Sequence, residues 1–361
     1  MANYVFDPTS LEENHVLTSF IKRQLPVSNS LAMQIAPLHA TIDRKVKVNV
    51  QEVSPASKGQ FKSITSNTPI TSGGATLSTH YMELVDLSEK EVLGVDDLIK
   101  LYSADRRAAL HSAYGILDVG KRLANRNQTL TEWMAWEAFK DELVVSYPED
   151  DTELSVDFDL DNTDALMSAS HKPDISSSDP WDVASADIIG QVRTWIDLLG
   201  TDSGMDGKIL MMNKTTWRYV QANTALKAFL TEANFPIKWV STGVGAALFW
   251  DLDLNTPAAS GTGRIIIDDS FWQDTDKSRT RFIPDGYILM TTEWQVNGGP
   301  IAMMFDGPVV QVQGNDLVVA NNPGLSADIY INAEQMAKNI RVSTARLPWI
   351  QREHFLYAQV Y

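Results

Sequence analysis

The 361-residue sequence contains no cysteine. Without thiols the chain has no disulfides, no thiolate metal ligands and no thiol nucleophile. It also lacks any run of about 18 uncharged apolar residues, the length that crosses a bilayer. Its first fifteen residues have neither the basic start nor the apolar stretch of a secretory signal. We therefore expect a soluble protein that is made in a cytoplasm and has no membrane contact.

Positive charge is scarce as well. Lysine and arginine number 30 against 46 aspartates and glutamates, which gives a formal net charge of −16. Such a surface repels nucleic acid as a whole, although a local basic patch is compatible with it. The other proportions, 44% hydrophobic and 21% charged residues, are those of an ordinary globular protein of one large domain or two to three smaller ones.

Metal-binding patterns are few and incomplete. The run DLDLN at 251–255 imitates the start of a calcium loop, but its sixth position is not glycine and its twelfth is not glutamate. The acidic run through Asp157, Asp159 and Asp161 fails at the same two positions, and a solvated or partner-facing strand edge explains it better. The six histidines show no ligand spacing, so the sequence predicts no metal site.

Catalytic motifs are also missing. Two Gly-x-Gly stretches, at 243–245 and 261–263, lack a third glycine and indicate turns, and no serine elbow is present. The adjacent Asp268 and Asp269 could act as acid and base, but neighbouring residues on a strand point to opposite faces. We assign no catalytic residue and no cofactor. A hydrolase that uses Asp268, Asp269 or His354 is kept as a rival hypothesis.

The first part of the chain predicts an extended hairpin. A short helix is expected between Ser10 and Leu25, and Val46, Val48 and Val50 then alternate with polar residues as in a half-buried strand. From there to about residue 83 the sequence is rich in serine, threonine and glycine. Two strands of this composition are marginal alone, so we favour an arm that docks on another surface over a disordered linker.

A long helical segment follows, from about 95 to 143, with apolar residues at i, i+3, i+4 and i+7. The polar run at 125–128 predicts an interruption, and Thr129 to Glu132 predicts a new capping box. The first segment alone, about 30 residues, would be about 45 Å long, more than the diameter of a small domain.

The remaining sequence completes an α+β fold. Aromatic residues close to its end, Trp349, Phe355, Tyr357 and Tyr361, predict that the terminal segment is held in a sheet. The expected elements are an acidic strand at 154–160, a loop at 174–182, a helix from Val183 to Leu199, a strand from Lys208 to Met212, a helix from Thr215 to Ala233 and short strands to about 331.

Charge is unevenly distributed along the chain. Residues 43–62 hold five basic residues against two acidic ones, a sum of +3, and residues 149–161 hold seven acidic residues and no basic one, a sum of −7. Such a pair of segments suits contacts between identical copies. Two unrelated solvated faces explain the same charges equally well.

Five motifs together indicate a family. They are a Phe-Ile-Pro-Asp turn that leads into a strand, in RFIPDGYILM at 281–290; the helix RRAALHSAYGILDVGKRL at 106–123; the acidic hairpin at 144–161; DPWDVASADI at 179–188; and the closing segment NIRVSTARLPWIQREHFLYAQVY at 339–361. In this order and spacing the chain resembles the major capsid proteins of tailed bacteriophages, specifically the lambda-like capsid protein E family, over about residues 40–361.

The resemblance implies the α+β fold of tailed-phage shells. Its parts would be an N-terminal arm at 1–45, an extended β-hairpin loop at 46–90, a peripheral domain with a long spine helix at 91–180 and 335–361, and an axial domain at 181–334. The turn at 281–290 would then support the architecture of the axial sheet rather than catalysis.

The resemblance also implies a function. The chain would be a major capsid protein that assembles into hexamers and pentamers of an icosahedral shell around double-stranded DNA, which it binds without sequence specificity. The expected partners are a separate scaffolding protein, a portal and, in some heads, a decoration protein; assembly would take place in the host cytoplasm. An encapsulin-type compartment shell and another virion structural protein are the alternatives.

Contacts between copies are predicted from the charged segments. The basic loop of one copy would lie over the spine helix and the acidic hairpin of the next. Covalent crosslinking through Lys58 or Lys62 is not expected in this subfamily. The predicted contact residues are Lys45, Lys47, Lys58 and Lys62 in the loop, and Glu149, Asp150, Asp157 and Asp159 in the hairpin.

Overall fold

The computed structural model describes most of the chain, with several gaps. The described residues are 18–19, 21, 30–52, 76–93, 96, 106–147, 152–161, 167–224, 238–242, 245–249, 264–273, 277–296, 299–313, 316–319, 324–332 and 337–361. Of the short helix expected between Ser10 and Leu25, only Thr18, Ser19 and Ile21 are described, and these are helical. The rest of that prediction lies outside the described residues.

Helices and strands alternate irregularly along the described chain. The helices are α1 (Leu31–Ile35), α2 (Arg106–Phe139), α3 (Ile188–Ser203) and α4 (Lys214–Ala222), with a single 3₁₀ turn at Arg352–His354. The strands are β1 (Leu38–Ala40), β2 (Lys45–Glu52), β3 (Thr76–Glu83), β4 (Val85–Leu93), β5 (Glu142–Tyr147), β6 (Thr152–Asp157), β7 (Ile209–Met212), β8 (Lys238–Thr242), β9 (Gly245–Phe249), β10 (Arg264–Ile267), β11 (Phe271–Gln273), β12 (Arg279–Arg281), β13 (Tyr287–Thr291), β14 (Gln295–Val296), β15 (Gly299–Pro300), β16 (Ala302–Gly307), β17 (Val310–Gln313), β18 (Asp316–Val319), β19 (Ser326–Asn332), β20 (Ala337–Ile350) and β21 (Phe355–Gln359).

The chain divides into two compact units. Unit 1 consists of Met1–Val46, Glu83–Trp136 and Ala302–Trp349, and unit 2 of Lys47–Met82, Glu137–Ile301 and Ile350–Tyr361. This division into two units does not test the four domain ranges predicted from the sequence. Those ranges stay predictions. None of the described helices has the length and apolar character needed to cross a membrane.

Unit 1 is built on a five-stranded sheet in the order β1-β16-β20-β19, with β4 also paired to β20. Its core joins one face of α2 to this sheet: Leu117, Leu123 and Ala124 of the helix pack with Ile340 and Val342 of β20. This is the helix face that the apolar spacing predicted.

The predicted interruption of the helix at 125–128 is wrong, because α2 is continuous from Arg106 to Phe139. The side chain of Asn127 does not compete with the backbone of its own helix for hydrogen bonds. Its amide nitrogen donates to the carbonyl of Leu87 at 3.0 Å, and its oxygen accepts from the Thr344 hydroxyl at 2.7 Å. Thr131, expected in a new cap, donates to the carbonyl of Asn127 and accepts from Arg346. Distant strands thus satisfy polar groups that in isolation favour a helix end.

Unit 2 contains a six-stranded sheet in the order β21-β13-β7-β10-β9-β8, in which β7 and β10 are parallel and the other pairs antiparallel. Alternate strand residues, among them Leu210, Met212, Ile288 and Met290, join the core beneath α3 and α4. The closing segment is held in the sheet as predicted, since β21 pairs with β13 and Val360 is fully buried.

Helix boundaries in unit 2 differ from the prediction. The first helix begins at Ile188, not Val183, because the Asp187 carboxylate caps the amide of Gly190 and Val183 lies in a turn. The second helix extends over Lys214–Ala222, where the predicted end was Ala233; residues 225–237 lie outside the described ranges. Asn213 caps it as predicted.

Candidate functional site

The basic residues of the predicted contact between copies begin with Lys45 at the start of β2. Lys45 is exposed, and its ammonium lies 3.6 Å from the carboxylate of Glu83 on β3. Both side chains are about 70% exposed, so this ion pair is weak and leaves Lys45 able to exchange partners. Lys47 follows two residues along the same strand. Lys58 and Lys62 lie outside the described residues.

The acidic residues of the predicted contact between copies belong to a hairpin, as the sequence predicted. Strands β5 and β6 pair antiparallel, and the register places Glu142 directly opposite Asp157. Glu153, Ser155 and Asp157 are exposed whereas Leu154 and Val156 are half-buried, which matches the predicted acidic face. The connection that holds Glu149 and Asp150 lies outside the described residues.

The base of this hairpin is fixed by contacts within the chain. One carboxylate oxygen of Asp157 accepts from the amide of Asp159 at 2.9 Å, and the Asp159 carboxylate lies 3.8 Å from the Arg352 guanidinium. Asp141, which the sequence did not single out, is buried and accepts from the Leu160 amide and from Lys172. Asp157 therefore keeps its charge exposed, while Asp159 has a partner in its own chain.

The Pro-Asp-Gly turn before β13 is joined to the start of α4. The amide group of Asn213 donates to the carbonyl of Ile283 at 3.1 Å and to the Asp285 carboxylate at 2.7 Å. The Gly286 amide donates to the Thr216 hydroxyl at 3.2 Å, and the Gly286 carbonyl accepts from the amide of Val360 at 2.7 Å. The turn thus connects a helix, a strand and the terminal segment, as a supporting role requires.

The DPWD segment is organised around a buried tryptophan. The indole of Trp181 donates to Gln191 at 2.6 Å, and the amide group of Gln191 donates to the Asp179 carboxylate at 2.8 Å. The same carboxylate accepts from the amide of Asp187, which caps α3. These bonds set the path of the chain into α3.

The candidate catalytic carboxylates have separate structural partners. Asp268 is buried and accepts from the amide and hydroxyl of Ser270. Burial raises the pKa of Asp268, and the Ser270 hydrogen bonds oppose this effect. Asp269 lies 3.2 Å from the Arg281 guanidinium. Within the described residues, no group of three or more acidic or histidine side chains is placed to hold a metal ion.

Comparison with known proteins decides the family. The family of phage major capsid protein E matches residues 66–323, well over half of the chain. The chain belongs to the phage major capsid protein E family. No curated protein sequence matches it significantly. The resemblance to capsid protein E inferred from the motifs is therefore confirmed.

Solved structures confirm the fold of this capsid protein. A protein assigned as the capsid protein of a prophage of Escherichia coli CFT073 aligns with a TM-score of 0.57 at 10% identity, covering 96% of this chain and 99% of that one. A phage-related protein from Bordetella bronchiseptica aligns with a TM-score of 0.53 at 10% identity and 96% coverage of both chains. The predicted α+β capsid fold is thereby confirmed.

The encapsulin complex of Synechococcus elongatus aligns with a TM-score of 0.43 at 10% identity over 94% of this chain and 93% of that one, a similarity too low to support an inference. The family match identifies a capsid shell protein, a component of the virion that assembles with its own copies. The contact residues predicted between copies stay predictions.

Proposed function

We propose that this capsid protein forms hexamers and pentamers of an icosahedral head that encloses double-stranded DNA, and that its role is structural rather than catalytic. The family match over residues 66–323 carries the proposal. Closed shells form from repeated heterologous contacts, and each contact can be modest because many act together. The arm, extended loop, peripheral domain and axial domain predicted from the sequence are the proposed parts of each subunit.

The charge of the chain suits a DNA container. At a net charge of −16 the protein repels DNA overall, which favours packing and release over adhesion to the wall. The proposed partners are a separate scaffolding protein, a portal and a decoration protein, with assembly in the host cytoplasm. These partners come from the family resemblance.

The described charges refine the proposed contact between copies. Helix α2 holds five basic and three acidic residues, a net charge of +2, and residues 142–157 hold six acidic residues and no basic one. Arg122 and Arg126 are exposed on the helix and pair with Glu91 and Glu89 of the same unit. Within the proposed contact, the lysines of the loop are therefore attracted more strongly to the acidic hairpin of a neighbour than to its spine helix.

Particle analysis of the purified chain tests the proposed function. We expect discrete particles of megadalton mass with fivefold and sixfold capsomers under the electron microscope, and double-stranded DNA inside particles isolated from infected cells. Protein cargo without DNA would instead identify a compartment shell. A stable monomer that turns over a substrate would overturn the proposal in favour of an enzyme.

A further inference from the structure

Strand β1 lies at one end of the five-stranded sheet of unit 1. Among the described residues it is paired only with β16, to which it runs parallel with Leu38 opposite Met304 and Ala40 opposite Asp306. All three residues of the strand are exposed. In the part of the chain that the structure describes, β1 is therefore an edge strand with one uncovered side.

The hydrogen bonds to β16 show which main-chain groups of this segment are already used. The amide of Met304 donates to the carbonyl of Pro37 at 3.0 Å, and the amide of Thr41 donates to the carbonyl of Asp306 at 2.9 Å. Alternate residues of a strand direct their N–H and C=O groups to opposite sides. The odd-numbered residues of the segment therefore face β16, and the even-numbered ones direct their main-chain groups away from the sheet.

The outward-facing residues of β1 are Leu38 and Ala40. Each presents one amide donor and one carbonyl acceptor, and their side chains lie on the same face of the strand. Leu38 is 51% exposed, and Ile42, which follows the strand, is 83% exposed. An exposed edge with apolar side chains accepts a further strand unless the protein blocks it.

The usual protection of an edge is missing from β1. The strand contains no lysine, arginine, aspartate or glutamate. Pro37 precedes it, but this residue faces β16 and removes no outward donor. The strand at the other end of the sheet order, β19, differs, because the hydroxyl of Thr18 donates to the carbonyl of Ala327 and accepts from its amide, both at 3.0 Å. The chain thus covers main-chain groups of β19 itself and leaves those of β1 exposed.

We propose that β1 pairs antiparallel with β1 of a second copy across a two-fold axis, so that the two five-stranded sheets join into one. The occupant is a second copy because the chain belongs to a family of shell proteins that assemble with their own copies. Such a contact is isologous, since the same strand serves on both sides. The inference rests on the proposed shell function and assigns one of its contacts.

One register satisfies every outward-facing group of the two strands. With Leu38 opposite Ala40 of the second copy, the strands exchange four hydrogen bonds and use both amides and both carbonyls of each. The two His39 residues then face each other at the centre, with their Cα atoms about 4.5 Å apart. A register centred on Ala40 gives only two bonds within the strand and needs Ile42, which lies in a bend beyond β1.

The side chains suit this register as well. Leu38 of each copy lies beside Ala40 of the other on one face of the joined sheet, so a large apolar side chain is paired with a small one. Three residues from each copy make a modest contact. The many copies of a shell repeat it, which lets a short strand contribute to a stable assembly.

A single cysteine at the centre of the contact tests the pairing, because the wild-type chain has none. Disulfides join residues whose Cα atoms are about 4.4–6.8 Å apart, so His39→Cys is within reach of its copy. We expect mild oxidation of the assembled full-length chain to convert most of it to a dimer on a non-reducing gel. Asn125→Cys, exposed on α2, controls for random collision and should stay mainly monomeric.

The lone cysteine also distinguishes the occupants of the edge. It can join only the same position of another copy, so a β1 edge that is covered by any other segment gives no dimer. Absence of the dimer in His39→Cys, or equal dimer formation by Asn125→Cys, would overturn the proposal.

A proline on the strand tests the outward hydrogen bonds. Ala40→Pro removes one outward amide but no bond to β16, and proline is tolerated on edge strands. The denaturant midpoint should stay close to that of the wild type, whereas the protein concentration needed for assembly, measured by light scattering, should rise severalfold. Ala40→Val keeps the amide and should assemble as the wild type does. Assembly of Ala40→Pro at the wild-type concentration contradicts the pairing, and should that variant not fold, the crosslinking of His39→Cys decides.

Electron microscopy of the oxidised samples separates this inference from the proposed function. Particles that form without the His39→Cys dimer refute the pairing of β1 and leave the shell function in place. Dimers without particles support the pairing and contradict the shell.

Discussion

At the scale of single residues, Gly286 shows how one position can require glycine. Gly286 has φ +83°, and a Cβ placed on it would lie 2.6 Å from the backbone oxygen of Tyr361. The sequence predicted the Pro-Asp-Gly turn from its residue types. It gave no sign that the terminal residue lies against the turn, because that contact joins positions 75 residues apart.

Replacement of Gly286 by alanine tests how closely this residue lies against Tyr361. Gly286→Ala combines the left-handed backbone, which costs an L-residue about 1–2 kcal/mol, with a close contact between the added Cβ and the backbone oxygen of Tyr361. We expect a total loss of about 2 kcal/mol or more, measured as a lower denaturant midpoint at unchanged slope.

The control for Gly286→Ala is Gly115→Ala on the exposed side of α2, where no heavy atom lies within 4 Å of the added Cβ. Alanine at a helix interior should stabilise the chain there by about 0.5–1 kcal/mol. If both variants shift the midpoint equally, the contact with Tyr361 contributes nothing.

The buried pair of His171 and Asp202 shows why some contacts could not be found from the sequence. His171 and Asp202 are 31 residues apart, and no motif places them together. His171 is fully buried, and its Nδ1 lies 2.8 Å from the backbone carbonyl oxygen of Phe355 in β21. Long-range pairs of this kind are invisible to a search for local spacing.

At the scale of elements, the spacing of hydrophobic residues predicted helices and strands correctly, whereas the polar residues predicted a helix end that does not exist. The apolar face of α2 and the alternation in β6 were both predicted, because packing follows these periods directly. The break predicted at 125–128 was wrong because Asn127 bonds to Leu87 and Thr344. A polar residue in a helical pattern therefore marks either an end or a tertiary contact.

Asn127 should accordingly be among the most sensitive polar positions of the helix. Asn127→Ala leaves the carbonyl of Leu87 and the buried hydroxyl of Thr344 without this partner, and each unsatisfied group costs about 1–3 kcal/mol. We expect a loss of about 2–4 kcal/mol in the free energy of unfolding, measured by denaturant titration.

The nearby Asn125 provides the matched control for this substitution. Its side chain is exposed on the same helix, so Asn125→Ala should stabilise the chain slightly through the higher helix propensity of alanine. Comparable losses in both variants would show that the polar contacts of Asn127 do not hold the helix on the sheet.

At the scale of the whole molecule, the sequence indicated assembly through its incomplete surfaces. The ends of the predicted hairpin do form strands β2 and β3, which pair in a two-stranded sheet of their own. Such a sheet is marginal alone, which fits a segment completed by another copy. Colinear motifs identified the family, whereas the residues that meet between copies depend on surfaces that one chain does not define.

The acidic hairpin offers a test in which folding and assembly respond in opposite directions. Glu142 and Asp157 face each other as like charges, which weakens the hairpin. Asp157→Asn relieves this repulsion and keeps an oxygen to accept from the Asp159 amide. The monomer should thus unfold at an equal or higher denaturant concentration. Assembly, measured by light scattering, should need a severalfold higher protein concentration, because every repeated contact loses one charge.

A double-mutant cycle with the loop completes this test. If Lys47 contacts Asp157 of a neighbour, Lys47→Gln and Asp157→Asn together should weaken assembly by less than the sum of the separate effects. Asp197→Asn, which removes an exposed charge from α3, should leave assembly unchanged. High salt should reduce the difference between wild type and the hairpin variant, because exposed charges are screened within about 10 Å at 0.1 M salt. Additive effects at low salt would mean that these two residues do not meet, and the basic loop would then have to dock elsewhere on its neighbour.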